Sequence, residues 1–125
     1  MLNKPILLVA TADAERSRAF YEKALQLKFV ADEHFALVFD VDGTPLRIQK
    51  VEALTPANHT VLGWNVDSIH ETMSSLANRG VVFERYPHFD QDEKGVWEIP
   101  GVVKVAWFRD PDGNILSLTE EFSVT

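Results

Sequence analysis

The sequence predicts an α+β fold in which two similar βαβββ modules form a curved mixed sheet around a central cleft. The first observation is a buried-strand pattern followed by a capped, amphipathic helix near the N-terminus. The second is the return of this order about 55 residues later, which is typical of an internal duplication. The third is that several strand-like runs follow each helix. A chain of 125 residues has room for one compact domain, so we expect the two modules to share it.

The first module is predicted to span about residues 1–51. A buried strand covers residues 6–9, and Thr11-Ala12-Asp13 offers side-chain acceptors that can cap a helix that runs to about Leu25. Apolar residues at positions i, i+1, i+4 and i+5 form one stripe on this helix, so one side of it should pack against a sheet. Three strand-like runs follow, the last two joined by the turn signal Asp42-Gly43: residues 28–31, 35–40 and 46–51.

A linker over residues 52–59 is predicted to separate the modules, because it contains Pro56 but no apolar periodicity. The second module then covers about residues 60–125. It opens with a strand over residues 60–66, a cap supplied by Asp67-Ser68 and a helix that stops at Gly80. The remaining strand candidates are residues 81–86, 96–99, 102–109 and 115–119, with Asp112-Gly113 as the last hairpin turn.

Charge and composition exclude several classes of partner. The net charge of −7 and the scattered positions of the 12 basic residues argue against nucleic acid, since a phosphate backbone would be repelled. Neither helix carries the basic face that a membrane surface attracts, and the apolar runs are too short to span a bilayer. The chain has no cysteine and therefore no need of an oxidising compartment. We expect a cytoplasmic protein whose partner is a small molecule.

Several short motifs occur in an order and at a spacing that resemble the vicinal oxygen chelate superfamily. This group includes glyoxalase I, bleomycin-resistance proteins, fosfomycin-resistance enzymes and extradiol dioxygenases. The resemblance covers nearly the whole chain and implies a single glyoxalase/bleomycin-resistance-like domain over residues 1–125. The motifs are Ala12–Ser17, Phe20-Tyr21, Leu25–Leu27, Asn78–Val81 and Phe108–Asn114.

The resemblance also implies a divalent metal, held by His, Glu or Gln side chains at four strand positions. In this sequence those positions fall on Ile6, Gln49, Val61 and Ser117. Ile and Val cannot bind a metal, and a neutral Ser hydroxyl is a poor ligand beside a carboxylate. Gln49 and His59 remain as metal-ligand candidates, but two ligands are too few for a tight site. The sequence therefore predicts that the metal cofactor is absent.

Strand alternation predicts that the cleft is apolar. Successive side chains of a strand point to opposite faces, so Ile6 and Leu8 share the cleft side of the first strand. On the strand that opens the second module, Val61 and Asn65 face the cleft and Trp64 faces the helix. A pocket of this kind suits an aromatic or mixed apolar ligand.

The other two tryptophans each have two open interpretations. Trp97 and Trp107 line either the cleft or an interface, because a large flat ring serves both purposes. His88 lies in an irregular stretch over residues 87–95, close to Tyr86 and Phe89, where it could bond a ligand. We interpret this stretch as a surface loop. The predicted ligand-binding residues are Ile6, Leu8, Gln49, Val61, Asn65, Trp97, Trp107 and Ser117.

Three functions remain open. The first is metal-independent binding or sequestration of a small, largely apolar molecule by a homodimer, as the resemblance to bleomycin-resistance proteins implies. The second is a metal-dependent lyase or oxidoreductase of the glyoxalase or dioxygenase type, with Gln49 and His59 as ligands. The third is a dimerising interaction module without a ligand. No catalytic residue is assigned, because no nucleophilic or acid–base constellation can be recognised.

Overall fold

A computed structural model describes residues 1–122 and confirms the predicted α+β class. Its strands form two four-stranded mixed sheets. The chain divides into two compact units: unit 1 comprises Met1–Pro56 with Asp110–Asn114, and unit 2 comprises Ala57–Arg109 with the segment that starts at Ile115. Within the described residues, no helix is long and apolar enough to cross a membrane.

Unit 1 follows the predicted order of strand, helix and three strands. Its sheet has the order β1-β4-β3-β2, in which β1 runs parallel to β4 and the other neighbours are antiparallel. Asp13 caps the helix, because its side chain accepts a hydrogen bond from the backbone N–H of Arg16. The elements are β1 (Leu7–Thr11), α1 (Ala14–Ala19), β2 (Lys28–Asp32), β3 (Ala36–Val41) and β4 (Thr44–Lys50).

The two faces of the unit 1 sheet differ in burial. Val9, Leu37 and Ile48 lie in one cross-strand row and are at most 5% exposed, so this face carries the core. Leu8 lies on the opposite face and is 54% exposed. Gln49 shares that face with it and is also exposed.

The first helix is shorter than predicted, because its last turn is π-helical. The regular α-helix ends at Ala19, and Phe20–Ala24 continues it as a π-helix. The backbone N–H of Leu25 donates to the carbonyl of Phe20, five residues earlier. The apolar stripe of this segment is compatible with either hydrogen-bond pattern, which is why the periodicity predicted one helix.

Unit 2 repeats the same order of elements. Its sheet has the order β5-β8-β7-β6, with β5 parallel to β8. Ser68 caps the helix by accepting from the backbone N–H of Glu71, and Gly80 after its end has φ +94°, the left-handed conformation that glycine adopts most easily. The elements are β5 (Thr60–Asn65), α2 (Ile69–Asn78), β6 (Trp97–Ile99), β7 (Val103–Arg109) and β8 (Ile115–Glu121).

One face of the unit 2 sheet packs against α2. Leu62, Phe108 and Leu116 form a buried cross-strand row on this face, and α2 buries Ile69 and Met73. We call the other face, which points away from α2, the open face. The site described below lies on it.

Residues 81–86 do not form the predicted strand. Phe83 makes a single bridge to Phe108, and no further ladder follows. The side chain of Gln91 instead forms hydrogen bonds with backbone groups of this segment. It accepts from the N–H of Tyr86 and donates to the carbonyl of Glu84. A side chain that satisfies the backbone in this way competes with strand pairing.

One turn of unit 1 comes from a distant part of the chain. The carboxylate of Asp110 accepts from the Tyr21 hydroxyl at 2.7 Å and from the side-chain amide of Asn114 at 2.9 Å. The carboxylate of Asp112 accepts from the Thr11 hydroxyl at 2.6 Å. The turn between β7 and β8 is thereby fixed to β1 and to the first helical segment.

Candidate functional site

The middle of the open face is a cross-strand row of three residues. Gly63 on β5 pairs with Ser117 on β8, which pairs in turn with Trp107 on β7. A Cβ atom added to Gly63 would lie 2.6 Å from Oγ of Ser117. Glycine is therefore required at position 63 beside the serine hydroxyl. The large ring of Trp107 lies on the other side of Ser117 in the same row.

An aromatic cluster covers the β7 side of the open face. We define it as Tyr86, Phe89, Trp97 and Trp107. The rings of Phe89 and Trp107 are stacked, with centroids 5.2 Å apart and planes inclined by 22°. Tyr86 meets both rings edge-on, at 5.7 Å from Trp107 and 5.8 Å from Phe89, and Trp97 lies 6.4 Å from Trp107. These are the geometries that aromatic pairs favour.

A pocket of about 320 Å³ opens beside this cluster, entirely within unit 2. This volume lies at the small end of ordinary ligand pockets, which hold roughly 300–1,000 Å³. Aromatic residues form one part of its wall, and three consecutive polar residues that lead into β5 form another. The lining residues are Asn58, His59, Thr60, Tyr86, His88, Phe89, Trp107 and Ile115.

The loop that carries Tyr86 and Phe89 is held by a side-chain amide. Gln91 accepts from the Tyr86 N–H at 2.6 Å and donates to the carbonyls of Glu84 at 3.0 Å and Gly95 at 2.7 Å. All three contacts are to backbone groups, so they fix the course of the loop and not only one side chain. Gln91 thus contributes directly to holding the aromatic wall of the pocket.

A second set of contacts anchors the far end of this loop. Asp92 accepts from the backbone N–H groups of Lys94 and Val96, and its other oxygen lies 3.5 Å from Nε2 of His70. Burial alone would raise the pKa of the Asp92 carboxyl, but these donors outweigh it and hold the pKa below its usual value. Asp92 therefore stays ionised and keeps the turn closed near neutral pH.

The hydroxyl of Tyr86 is buried without a partner. Its Oη atom has no hydrogen-bond partner among the described residues. Burial raises the pKa of the phenol, and Glu84 adds to the rise while Arg109 opposes it. Tyr86 is consequently a neutral aromatic wall at ordinary pH.

An ion pair lies on strand neighbours of the pocket residues, and the pocket lining itself carries no formal charge. Arg109 lies in the same cross-strand row as Ile115 and Thr60, and its Nε donates to a carboxylate oxygen of Glu84 at 2.6 Å. None of the eight lining residues is Asp, Glu, Lys or Arg. The pocket is therefore apolar and aromatic, with imidazole, amide and hydroxyl groups as its polar points.

The predicted ligand-binding residues are divided between the two units. Ile6, Leu8 and Gln49 lie in unit 1, where Ile6 precedes β1 and is 52% exposed. The others lie on the unit 2 sheet, where only Trp107 lines the pocket described above. They are Val61, Asn65, Trp97, Trp107 and Ser117.

Three ring-bearing residues of the pocket are not among the predicted ligand-binding residues. Tyr86, His88 and Phe89 were placed in a strand end and a surface loop, yet all three line the pocket beside Trp107. Three aromatic or imidazole side chains within four consecutive residues were the available signal. Strand alternation could not use this signal, because the loop has no regular period.

The metal that the resemblance implies does not fit the residues present. Two of the four ligand positions are occupied by Ile6 and Val61, whose side chains contain no nitrogen or oxygen. Ser117 is 8% exposed and supplies only a hydroxyl. Among residues 1–122, no group of three or more His, Asp or Glu side chains is placed to hold a metal ion.

Comparison with known families decides the relationship. The model of the Glyoxalase/Bleomycin resistance protein/Dioxygenase superfamily matches residues 5–118. The chain belongs to this superfamily. Comparison with curated proteins gives no significant match. The resemblance to glyoxalases and bleomycin-resistance proteins, inferred from the motifs, is thus confirmed.

Solved structures of the superfamily share the fold of this chain. A glyoxalase family protein from Bacillus anthracis is 19% identical, with a TM-score of 0.74 over 97% of this chain and 96% of that one. The fosfomycin resistance protein FosX from Listeria monocytogenes is 14% identical, with a TM-score of 0.74 over 96% of this chain and 93% of that one. A glyoxalase/bleomycin resistance protein/dioxygenase from Alicyclobacillus acidocaldarius is 14% identical, with a TM-score of 0.70 over 98% and 93%. At these identities the likeness establishes the fold alone.

Proposed function

We propose that this superfamily member binds a small, largely apolar aromatic molecule in the unit 2 pocket without a metal. The observation that carries the proposal is the stacked pair of Phe89 and Trp107 beside a pocket of about 320 Å³. Phe89 remains 39% exposed although its ring belongs to a cluster. A planar ligand laid against these rings would remove that apolar surface from water.

Stacking supplies both affinity and orientation. An aromatic contact contributes about 0.5–1.5 kcal/mol beyond the area it buries. The rings of Tyr86 and Trp107 meet edge-on, so one flat ligand ring can stack on one of them and contact the other with its edge. The small volume favours a ligand of one or two fused rings over a bulky one.

Metal independence is supported by the donor set. Ile6 and Val61 remove two of the four ligands that the superfamily resemblance implies, and Gln49 with His59 would leave an incomplete set. Titration with zinc, nickel, manganese and iron, followed by metal analysis of the desalted protein, tests this part. We expect no stoichiometric binding, and one tightly held ion per chain would reject metal independence.

Tryptophan fluorescence tests the ligand site directly. A library of small aromatic compounds should quench the emission of the protein, and Trp107→Leu should abolish both the quenching and the binding heat. Trp64→Leu is the matched control, because Trp64 pairs with Leu118 on the α2 face of the same sheet. Equal loss of binding in both variants would show that the substitutions act by destabilising the fold and not by removing a contact in the pocket.

We also infer that the protein is a cytoplasmic homodimer. The dimer is supported by the exposed apolar side chains Ile6 and Leu8, which are 52% and 54% exposed in unit 1. The location is supported by the absence of cysteine from the sequence. Sedimentation equilibrium should give twice the chain mass, and Leu8→Lys should lower it to the single mass. Cell fractionation should recover the protein with cytoplasmic markers.

A further inference from the structure

We propose that the ligand of the unit 2 pocket is an aromatic anion, specifically a small aromatic carboxylate. This inference rests on the proposed function and names its ligand class. The stacked pair Phe89 and Trp107 would hold the ring, and the imidazoles of His59 and His88 would donate hydrogen bonds to the carboxylate.

The distribution of ionisable residues supports an anion. The chain contains 19 carboxylate side chains and 4 histidines. The pocket lining includes none of these carboxylates but two of the histidines, His59 and His88. Half of the histidines of this acidic protein therefore line one small pocket, and none of its acidic residues does.

Both imidazoles are available to a ligand. No hydrogen bond joins the ring of His59 or His88 to another described residue, whereas the ring of His70 lies 3.5 Å from the carboxylate of Asp92. A histidine ring carries an N–H donor in its neutral form and two in its charged form. Donation to a carboxylate therefore does not depend on the protonation state.

Further donors flank the first imidazole. Asn58 and Thr60 adjoin His59 in the sequence and also line the pocket, so an amide and a hydroxyl can add to the same polar side. Hydrogen bonds to an ionised acceptor are about twice as strong as those between neutral groups. Three consecutive donor side chains thus favour a charged oxygen over a neutral one.

The acidic residues that precede and follow the aromatic loop residues do not line the pocket. Glu84 forms an ion pair with Arg109 at 2.6 Å, which offsets the charge of its carboxylate. Asp90 follows Phe89 in the chain but does not line the pocket. The ring end of the ligand meets only aromatic and aliphatic groups, which include Ile115.

Three probes that share one ring system separate charge from stacking. Naphthoate, naphthamide and naphthylmethylammonium differ mainly in the charge of the group attached to the ring. Calorimetric titration of the full chain should show naphthoate binding about tenfold more tightly than naphthamide, the gain expected when charge-assisted hydrogen bonds replace neutral ones. Naphthylmethylammonium should bind most weakly.

Histidine variants connect this preference to the two imidazoles. In the double variant His59→Leu/His88→Leu, naphthoate should lose more affinity than naphthamide, so that the preference for naphthoate vanishes. His34→Leu is the control, because His34 is an exposed histidine of unit 1. All three substituted positions are exposed, so the substitutions should leave the fold intact. The three probes also test the proposal on the unaltered protein, without any variant.

Each outcome decides between the ligand class and the site itself. Equal binding of naphthoate and naphthamide, or tightest binding of the ammonium probe, would overturn the anion preference and leave the proposed aromatic site intact. No binding by any probe would overturn both. A naphthoate preference that survives in the double variant would reject the imidazoles as its source.

Discussion

The hydroxyl of Tyr21 donates a 2.7 Å hydrogen bond to the carboxylate of Asp110, which lies 89 residues later in the chain. Both groups are almost fully shielded from water, with Tyr21 0% and Asp110 5% exposed. The carboxylate is stabilised further by the backbone N–H groups of Asp112 and Asn114, each at 3.0 Å. This buried charge is therefore supported by a complete set of donors, as its burial requires.

Replacement of Tyr21 by phenylalanine should destabilise the protein. The variant keeps the ring but removes one donor from a buried carboxylate, so we expect the free energy of unfolding to fall by about 1–3 kcal/mol. Urea unfolding followed by circular dichroism measures it. Tyr86→Phe is the matched control and should change stability little, because its hydroxyl has no partner among the described residues. Similar losses in both variants would contradict this assignment.

Alkaline pH should reveal the protonated state of Tyr21. Burial, the charge of Asp110 and the hydrogen bond to it all raise the pKa of the phenol above its usual value of about 10. The folded state therefore holds this proton more tightly than the unfolded state. Its contribution to stability is complete below about pH 10 and is lost above it, by at most about 1.4 kcal/mol per pH unit.

Ultraviolet absorbance of the tyrosinate form checks this pH dependence. In Tyr86→Phe, Tyr21 is the only remaining tyrosine. Its absorbance should stay that of the neutral phenol above pH 10 and change only when the chain unfolds. Ionisation at the ordinary pKa in the folded protein would show that the phenol is not held by Asp110.

The contact between Gly63 and Ser117 should make an added methyl group costly. Gly63→Ala would place a Cβ atom 2.6 Å from Oγ of Ser117, and overfilling of this kind costs about 1–3 kcal/mol. Ser117→Ala removes the closer atom, so the double variant should lose less than the sum of the two single variants. Thermal unfolding of the four proteins measures the coupling. Strict additivity would mean that the two residues do not meet.

The side chain of Gln91 should control the order of the aromatic loop. Gln91→Met keeps the length of the side chain but leaves the N–H of Tyr86 and the carbonyls of Glu84 and Gly95 without their partner. We expect a loss of about 1–3 kcal/mol and faster amide exchange over residues 84–96. Near-ultraviolet circular dichroism should also weaken as the stacking on Trp107 loosens.

Gln49→Met provides the comparison for this loop. Gln49 is an exposed glutamine on the unit 1 sheet, so the same substitution there should leave both exchange and dichroism unchanged. If Gln91→Met also left them unchanged, the loop would be held by its other contacts. These include the guanidinium of Arg85, which donates to the carbonyls of Gln91 and Asp92.

Local rules in the sequence were sufficient for most of the fold. The capping residues Asp13 and Ser68 lie within the predicted segments Thr11–Asp13 and Asp67-Ser68, because a short polar side chain satisfies a free N–H at a helix start. The turn at Asp42-Gly43 was predicted because both residues tolerate positive φ, and they have φ of 49° and 89°. Each of these features depends on a few neighbouring residues, which the sequence displays directly.

The pocket could not be predicted by the same means. Stacking of Phe89 on Trp107 depends on the path of an irregular loop, and this path is set by Gln91 through backbone contacts that follow no periodic pattern. Residues 81–86 have the composition of a strand, but the side chain of Gln91 forms hydrogen bonds with backbone groups that a strand would use for pairing. Side-chain hydrogen bonds across a loop are tertiary contacts, and secondary-structure propensity does not predict them.

The turn at Asp110–Asn114 sets a limit on how this chain could be divided. Unit 1 is completed by five residues that the ribosome adds long after Pro56, so a fragment ending there would carry Thr11 and Tyr21 without the carboxylates they bind. Of two fragments cut at residue 57, the first would therefore need the second to complete unit 1. The internal repeat thus does not make the first half self-sufficient, and its last covalent piece arrives only after β7 has been synthesised.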